Sequence, residues 1–125
     1  MKPQRSVRRE EFVAFEPFAP RFPFETAIMP KQHWTHFENM EDRHLSQLAQ
    51  ILKPLLKKIE EGLRMPPYNF VLHSAPFYLG KPEHYHWHID VIPRLTTPAG
   101  FEWGSGFHIN PVPPEDAAEF LREAP

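Results

Sequence analysis

Apolar residues recur along the chain with two different periods, which predict short strands interleaved with helices. Residues 11–15 alternate apolar and polar as a strand does, and residues 24–29 form a second apolar run that suggests a hairpin-like pair. Residues 40–63 place apolar side chains three or four positions apart, which predicts an amphipathic helix with Asn39 as its candidate cap. The apolar positions of this predicted helix are Leu45, Leu48, Ile51, Leu52, Leu55, Ile59 and Leu63.

The second half of the chain predicts two further strands and a closing helix. Residues 68–73 form a strand after a Pro-Pro break, and residues 84–92 form another. Residues 95–106 contain Thr-Thr-Pro and three glycines, which predicts an excursion from the sheet, followed by a short return strand at residues 107–110. Pro114 then suits the first position of a final helix of about two turns.

Length and charge narrow the class of protein. The 125 residues contain no repeat or linker and predict a single domain over residues 1–125, with residues 1–10 flexible. A net charge of −2 argues against bulk attraction to polymeric nucleic acid or to an anionic membrane. The polar amino terminus is neither a signal peptide nor a membrane anchor, and the absence of cysteine fits a reducing compartment, so a cytoplasmic protein is predicted. Met1 and the full set of expected elements favour an independent unit.

Three histidines alternate near the start of the last predicted strand, at His84, His86 and His88. A strand would present all three imidazoles on one face and turn Trp87 into the core. Imidazole can serve as nucleophile, proton carrier or metal ligand near neutral pH, so this pattern predicts a chemical site. The alternative is a strand of solvated surface histidines. Solvated positions are also predicted for the three remaining histidines outside the candidate site, His36, His44 and His108.

The histidine string resembles the motif of the histidine triad superfamily, in which histidines alternate with apolar residues. The segments that carry this resemblance follow the order of that superfamily's fold; they are Phe12-Val13-Ala14-Phe15, Ile28-Met29-Pro30-Lys31-Gln32-His33, the long helix, Tyr68-Asn69-Phe70-Val71-Leu72 and His84-Tyr85-His86-Trp87-His88-Ile89. Almost the whole chain is covered.

Within that superfamily the chain more closely resembles the C-terminal half of galactose-1-phosphate uridylyltransferase and its relatives. The matching segments are Leu72-His73-Ser74-Ala75-Pro76-Phe77, His86-Trp87-His88, Pro93-Arg94-Leu95, Ala99-Gly100-Phe101-Glu102 and Pro113-Pro114-Glu115-Asp116-Ala117-Ala118. The resemblance implies an α+β, HIT-like fold, with an antiparallel β-sheet packed with one long helix and a short C-terminal helix. It also implies that two such domains pair, here as a homodimer.

The resemblance to triad enzymes implies a nucleotidyltransferase, or a nucleotide or nucleotide-sugar hydrolase, that acts through His86 on an α-phosphate. His86 would attack the phosphorus to give a covalent nucleotidyl-imidazole. His84 would orient His86, His88 would help to bind the phosphate or the leaving group, and His33 is similar to an auxiliary histidine after the second strand. His73 departs from this pattern, because triad enzymes usually carry asparagine there.

In the uridylyltransferase family, by contrast, the histidine that matches His73 binds a divalent metal together with those that match His86 and His88. Imidazoles at positions i and i+2 of a strand lie about 7 Å apart at Cα, and they can chelate one ion with a third from the adjacent strand. Zinc is the expected ion, with iron as the family's alternative. The family's fourth ligand, a glutamate, lies in an N-terminal half absent from this sequence. Water, His84, Glu83 or a partner's carboxylate would have to substitute.

The same resemblance implies a substrate site. Phe101 and Glu102 match the sugar-contacting positions of a loop that reaches into a neighbouring subunit in this family, with a plain glycine turn as the alternative. Arg94 is a candidate anion ligand because its planar guanidinium suits phosphate, with a surface salt bridge as the alternative. Lys31 is a second phosphate candidate, although an exposed lysine needs no such role.

Three hypotheses follow. The first is an enzyme that transfers or hydrolyses a nucleotidyl group through His86. The second is a zinc- or iron-binding half-domain, in which His73, His86 and His88 hold the ion. The third is a half-domain that completes its site only with a partner polypeptide, since the family's nucleophile lies on a His-Pro-His strand that this chain does not repeat. The first two exclude each other at His86, because an imidazole nitrogen that holds a metal cannot also attack phosphorus.

Overall fold

The computed structural model describes residues 6–8 and 11–124, which form a five-stranded antiparallel sheet with the long helix packed against it. The strands are β1 (Ser6–Arg8), β2 (Phe12–Phe15), β3 (Thr26–Pro30), β4 (Tyr68–His73) and β5 (His88–Pro93). The helices are α1 (Asp42–Gly62), α2 (Gly100–Ser105) and α3 (Pro114–Glu123), and short 3-10 turns occupy Phe37–Asn39 and Phe77–Leu79. The strands lie in the order β1-β2-β3-β5-β4. The predicted α+β fold is confirmed.

Strand β5 lies between β3 and β4, and its register with β4 determines the geometry of the candidate site. Ile89 lies opposite Leu72, and His88 lies opposite His73. Side chains alternate along a strand, so Ile89 is buried at 2% exposure in the core, whereas His88 and Asp90 point to the opposite face. Residues that lie opposite each other in an antiparallel pair share a face, and His73 is therefore on the same side as His88.

Helix α1 covers the core face of the sheet with its apolar stripe. Leu48, Ile51, Leu55 and Ile59 are buried there, whereas Leu45 lies at the edge of the stripe and is 44% exposed. Each fully buried side chain of this size contributes about 1.5–3 kcal/mol of transfer free energy. The stripe packs in one core with residues of the sheet and of α3 and with Trp87, which precedes β5. These residues are Phe12, Ala14, Ile28, Trp87, Ile89, Val91 and Leu121.

Helix α1 begins after Glu41 and not after the predicted cap Asn39, which ends the preceding 3-10 turn. The Glu41 side chain accepts a hydrogen bond from the backbone N–H of His44, while His44 Nδ1 accepts one from the Glu41 N–H at 3.2 Å. This reciprocal pair satisfies two amide donors at the start of the helix. His44 is therefore buried at 5% exposure, and the expectation that it is solvated is wrong.

The predicted strand over residues 84–92 is shorter in the structure, because β5 begins only at His88. Residues 83–84 form a turn that the Tyr85 N–H closes by donating to the Pro82 carbonyl at 3.2 Å. The Trp87 N–H donates to the Trp34 carbonyl at 2.9 Å instead of to a neighbouring strand. A contact to the loop after β3 thus replaces the expected strand pairing.

The segment after β5 leaves the sheet, as predicted, and it contains helix α2 where the alternative interpretation was a plain glycine turn. The Trp103 N–H donates to the Ala99 carbonyl and the Gly106 N–H to the Glu102 carbonyl, both at 3.0 Å. Gly106 has φ 77°, the left-handed conformation that commonly ends a helix. Residues 107–110 form no strand, so that prediction is wrong.

Residues 1–10 are expected to be flexible, but residues 1–5 and 9–10 lie outside the described residues. The remaining three residues, Ser6–Arg8, form β1 and pair with β2. The prediction of a single domain over residues 1–125 stays a prediction. None of the helices in the described part of the chain combines the length and the apolar character that crossing a bilayer requires.

Candidate active site and metal centre

Two histidines and one aspartate converge on the face of the sheet opposite the core. His73 of β4 and His88 of β5 are cross-strand neighbours, and their rings stack with centroids 4.6 Å apart and planes 19° apart. Asp90 lies two residues after His88 on the same face, diagonal to His73. One ligand atom from each residue lies within 4.8 Å of those of the other two. This cluster has the ligand types of a metal site, and its ligand atoms lie close enough together for one.

The carboxylate of Asp90 links the two rings. Its Oδ2 lies 3.0 Å from His73 Nε2 and 3.8 Å from His88 Nε2. Asp90 is nearly buried, at 9% exposure. His88 Nδ1 lies 3.1 Å from the backbone carbonyl of His86, which can only accept, so this nitrogen carries the proton. The Nε2 lone pair of a neutral His88 therefore faces Asp90.

The structure places His86 outside this group of three. Its Nε2 lies 2.6 Å from the backbone carbonyl of Pro30, and its ring meets the ring of His33 edge-on at 5.4 Å between centroids. Because a carbonyl only accepts, Nε2 is the protonated nitrogen, and Nδ1 carries the lone pair of a neutral ring. His86 is partly exposed and His33 is exposed, so this pair faces solvent.

The other predicted site residues lie on the surface. His84 is exposed in the turn before β5 and forms no hydrogen bond or ring contact with any described residue. Lys31 and Arg94 are exposed directly after β3 and β5, where their backbone N–H groups bond to Glu11 O and Pro67 O, both at 2.7 Å. Neither side chain forms a hydrogen bond or an ion pair with a described residue.

Helix α2 carries the two predicted sugar-contacting residues. Phe101 is 63% exposed. Glu102 is partly buried, and its Oε2 accepts a hydrogen bond from the Ile109 N–H at 3.4 Å. Trp103 follows at 79% exposure, and the apolar side of α2 therefore lies open to solvent in the described structure.

Sequence reasoning missed Asp90 as a member of the site. Its signal was the same alternation that marked the histidines, since position 90 continues the series 84, 86 and 88. His36 was also misjudged, because it is buried at 8% exposure against Phe77 and its Nδ1 lies 2.8 Å from the Thr35 hydroxyl. His108 is exposed, as expected.

An antiparallel sheet backed by one long helix, with alternating histidines leading into its inner strand β5, defines a protein of the histidine triad fold. A zinc-bound histidine triad family protein from Mycobacterium smegmatis has the same fold, with a TM-score of 0.66 and 18% identity over 97% of this chain and 83% of that one.

Residues 2–123 match the family described as "Galactose-1-phosphate uridyl transferase, C-terminal domain", and the chain belongs to that family. It is 41% identical over 114 residues to an ADP-glucose phosphorylase of Arabidopsis thaliana, which covers 90% of this chain and 32% of the relative. It is 34% identical over 122 residues to a galactose-1-phosphate uridylyltransferase of Thermotoga maritima. That alignment covers 91% of this chain and 38% of the relative.

The crystal structure of the Arabidopsis ADP-glucose phosphorylase with bound ADP-glucose superposes with a TM-score of 0.93 and 37% identity, over 98% of this chain and 41% of that one. The present chain therefore spans about two fifths or less of the length of these relatives. Both relatives are named as enzymes.

Proposed function

We propose that this protein is a cytoplasmic enzyme that transfers a nucleotidyl group, or hydrolyses a nucleotide sugar, through His86. The observation that carries the proposal is the hydrogen bond from His86 Nε2 to the Pro30 carbonyl at 2.6 Å. It fixes the tautomer so that the lone pair lies on Nδ1 of a partly exposed ring. The backbone carbonyl also stabilises the positive charge that the ring acquires as it attacks.

In the first step, the Nδ1 lone pair forms a bond to the α-phosphorus, and the bond from that phosphorus to the bridging oxygen breaks. The leaving phosphate takes the electron pair, and a proton when it needs one from solvent. In the second step, the oxygen of water or of an acceptor phosphate attacks the same phosphorus, and the N–P bond breaks with its electron pair returning to Nδ1. An attacking water loses a proton to solvent. Dividing the displacement in this way replaces one difficult step by two easier ones.

The remaining predicted residues take supporting roles in this proposal. His33, whose ring lies 5.4 Å from that of His86 between centroids, would exchange protons with the reacting groups. His84 would orient His86, and His88 would contact the phosphate or the leaving group. Lys31 and Arg94 supply positive charge for the phosphate oxygens. Phe101 and Glu102 would contact the sugar.

Replacement of His86 by alanine tests this proposal directly. Wild-type protein mixed with ADP-glucose or a UDP-hexose radiolabelled in the α-phosphate should acquire an acid-labile label on His86, located by peptide mapping. His86→Ala should lose the label and at least about 1000-fold in turnover, because a covalent nucleophile has no substitute. His108→Ala, an exposed histidine outside the site, is the matched control and should retain both. Labelled His86→Ala protein, or wild-type protein that neither substrate labels, would contradict the proposal.

We also propose that two copies of the chain pair through strand β4. This strand is the last in the sheet order and pairs only with β5 among the described strands, and its exposed residues include Phe70 at 47%, Val71 at 38% and Leu72 at 42%. An exposed apolar edge strand favours association with another strand.

Light scattering after size exclusion is expected to give twice the chain mass of 14.7 kDa for the wild type and the single chain mass for Val71→Lys. A lysine at this edge opposes strand pairing. Phe107→Lys, at an exposed apolar position outside the strand, should remain a dimer. A monomeric wild type, or a dimeric Val71→Lys protein, would argue against pairing through β4.

A second candidate function is that of a metal-binding half-domain that depends on a partner chain for catalysis. Two imidazoles and a carboxylate that converge on one point favour it, and zinc and iron(II) both accept this donor set. His73 and His88 would hold the ion. The ion would supply positive charge that links β4 to β5 or polarises a phosphate oxygen.

A further inference from the structure

We infer that Ser74 is a positioning residue for His86. Its hydroxyl fastens residues 31–38, the segment after β3 that we call the clamp loop, to the end of strand β4. The clamp loop in turn holds the chain around His86, so the Ser74 hydroxyl helps to keep the Nδ1 lone pair of that imidazole in place. The catalytic consequence rests on the proposed transfer through His86, whereas the positioning itself does not.

The Ser74 hydroxyl forms two hydrogen bonds with the clamp loop. Its oxygen accepts one from the Phe37 backbone N–H at 3.0 Å, and its proton is donated to Glu38 Oε2 at 3.1 Å. One hydroxyl can form both bonds, because it has one proton and two lone pairs. Ser74 directly follows His73, the last residue of β4, so these bonds fasten the loop to a strand that the sheet register holds.

Ser74 supplies an acceptor that the clamp loop does not supply for itself. Phe37 begins the 3-10 turn, and the first amides of a helical turn have no acceptor within it. The side chain at the preceding position often provides one, but His36 forms no such cap. Its Nδ1 lies 2.8 Å from the Thr35 hydroxyl instead. Ser74 therefore caps the turn from a position 37 residues away in the chain.

The clamp loop also contacts the chain around His86, which belongs to no strand. The Trp87 N–H donates to the Trp34 carbonyl at 2.9 Å, and the rings of Phe37 and Trp87 meet edge-on with centroids 5.1 Å apart. The His86 ring itself donates from Nε2 to the carbonyl of Pro30, the last residue of β3. The loop thus determines where the backbone of this segment lies, and Pro30 determines the tautomer of the ring.

Loss of the Ser74 hydroxyl would leave the Phe37 N–H without its acceptor in a partly buried position. An amide without a partner away from water is unfavourable, so the loop should shift until this N–H reaches water. The bond from the Ala75 N–H to the Thr35 carbonyl at 3.0 Å would then be the backbone hydrogen bond that still joins the loop to the chain after β4 among the described residues.

A shift of the clamp loop should reach His86 through Trp87. The Trp87 N–H follows the Trp34 carbonyl of the loop, whereas the Pro30 carbonyl stays with β3, which is paired with β2. The His86 ring therefore moves relative to the acceptor that selects its tautomer. With this bond weakened, the neutral ring populates both tautomers, and the reacting lone pair is in place for only part of the time.

The tautomer of His86 tests the positioning without any turnover. The chelator-treated full chain, labelled with nitrogen-15, is studied by long-range proton–nitrogen correlation at about pH 8, where an imidazole with an ordinary pKa near 6.5 is neutral. His86→Ala identifies the signals. The wild type should carry the His86 proton on Nε2, and Ser74→Ala should give a mixture of both tautomers. Ser74→Thr, which restores the hydroxyl, should return the wild-type pattern.

Turnover of ADP-glucose or a UDP-hexose provides the second measurement. Ser74→Ala should lower kcat by about 10- to 100-fold, because a small misplacement of reacting groups costs rates of that order, while KM changes far less. Ser74→Thr should recover most of the loss. Ser46→Ala is the matched control, since Ser46 is exposed on α1 and its hydroxyl forms no hydrogen bond with a described residue.

A His86 tautomer that is unchanged in folded Ser74→Ala would overturn the positioning role, and so would a Ser74→Thr protein with the same tautomer mixture as Ser74→Ala. Circular dichroism checks the fold. If Ser74→Ala does not fold, Ser74→Cys gives the same test, because a thiol keeps the volume but is a weak acceptor. A tautomer change in a protein that turns over neither substrate would support the positioning and refute only the transfer.

Discussion

The free energy of unfolding of the wild type is expected to fall, relative to that of Glu16→Gln, by about 1.4 kcal/mol per unit between about pH 5 and pH 8. Burial raises the pKa of the Glu16 carboxyl from 4.5 to about 8, and the nearby charge of Glu25 adds to the effect, while the hydrogen bond with Thr26 opposes it. Glu16 is 3% exposed, so the shift reflects a desolvated group. The measurement is urea unfolding of both proteins at several pH values.

The sign follows from proton binding. Between the unfolded pKa of 4.5 and the folded pKa of about 8, the folded protein keeps the Glu16 proton and the unfolded chain loses it. The contribution to stability is therefore complete below about pH 4.5 and is lost as the pH rises through about 8. Glutamine retains the shape and the neutral charge of the protonated acid, so the variant lacks this slope.

The local geometry fits a protonated Glu16. The Thr26 hydroxyl lies 2.6 Å from Glu16 Oε1 and 3.0 Å from the Phe24 carbonyl, and its single proton cannot serve both acceptors. Glu16 Oε2 is buried with no hydrogen-bond partner among the described residues, which disfavours a charge there.

Glu38→Gln serves as the control, because Glu38 is an exposed carboxylate whose only described partner is the Ser74 hydroxyl. Its pH dependence should follow that of the wild type. Equal slopes for the wild type and Glu16→Gln would mean that the Glu16 carboxyl is ionised in the folded protein.

Local sequence pattern was sufficient for much of the fold. The stripe in residues 40–63 predicted α1 because a helical period depends only on neighbours within two turns, and the strand predicted at residues 68–73 has the observed bounds of β4. The start of β5 could not be predicted in this way. It depends on the Trp87 N–H bonding to Trp34, a residue more than fifty positions away in the chain.

The sequence predicted the kind of chemistry at the candidate site, but it did not predict which residues come together there. Alternation placed His86 and His88 on the same side, and the resemblance to a known family added His73. Asp90 enters only through the register of β4 with β5, which puts it diagonal to His73. His86 leaves the cluster because the chain before His88 is not part of the sheet, and its ring turns to the Pro30 carbonyl instead. Tertiary pairing decided both outcomes.

Trp87→Ala is expected to lower the free energy of unfolding by about 3–5 kcal/mol, which is a large share of the about 5–15 kcal/mol typical of a small domain. Trp87 is fully buried, with its ring 6.0 Å from that of Phe12 and 5.1 Å from that of Phe37, and it lies between His86 and His88 in the chain. Its removal therefore leaves a cavity directly behind the site.

Trp87→Phe should lower the free energy of unfolding by clearly less than the loss of side-chain volume alone would. The reason is that the indole Nε1 of Trp87 is buried with no hydrogen-bond partner among the described residues. Phenylalanine removes that unsatisfied donor while keeping an aromatic ring between Phe12 and Phe37. Denaturant unfolding compares the two variants with Trp103→Ala, whose side chain is 79% exposed and whose loss should change stability by no more than about 0.5 kcal/mol. If Trp87→Phe is as destabilised as Trp87→Ala, the indole N–H has a hydrogen-bond partner in the folded protein.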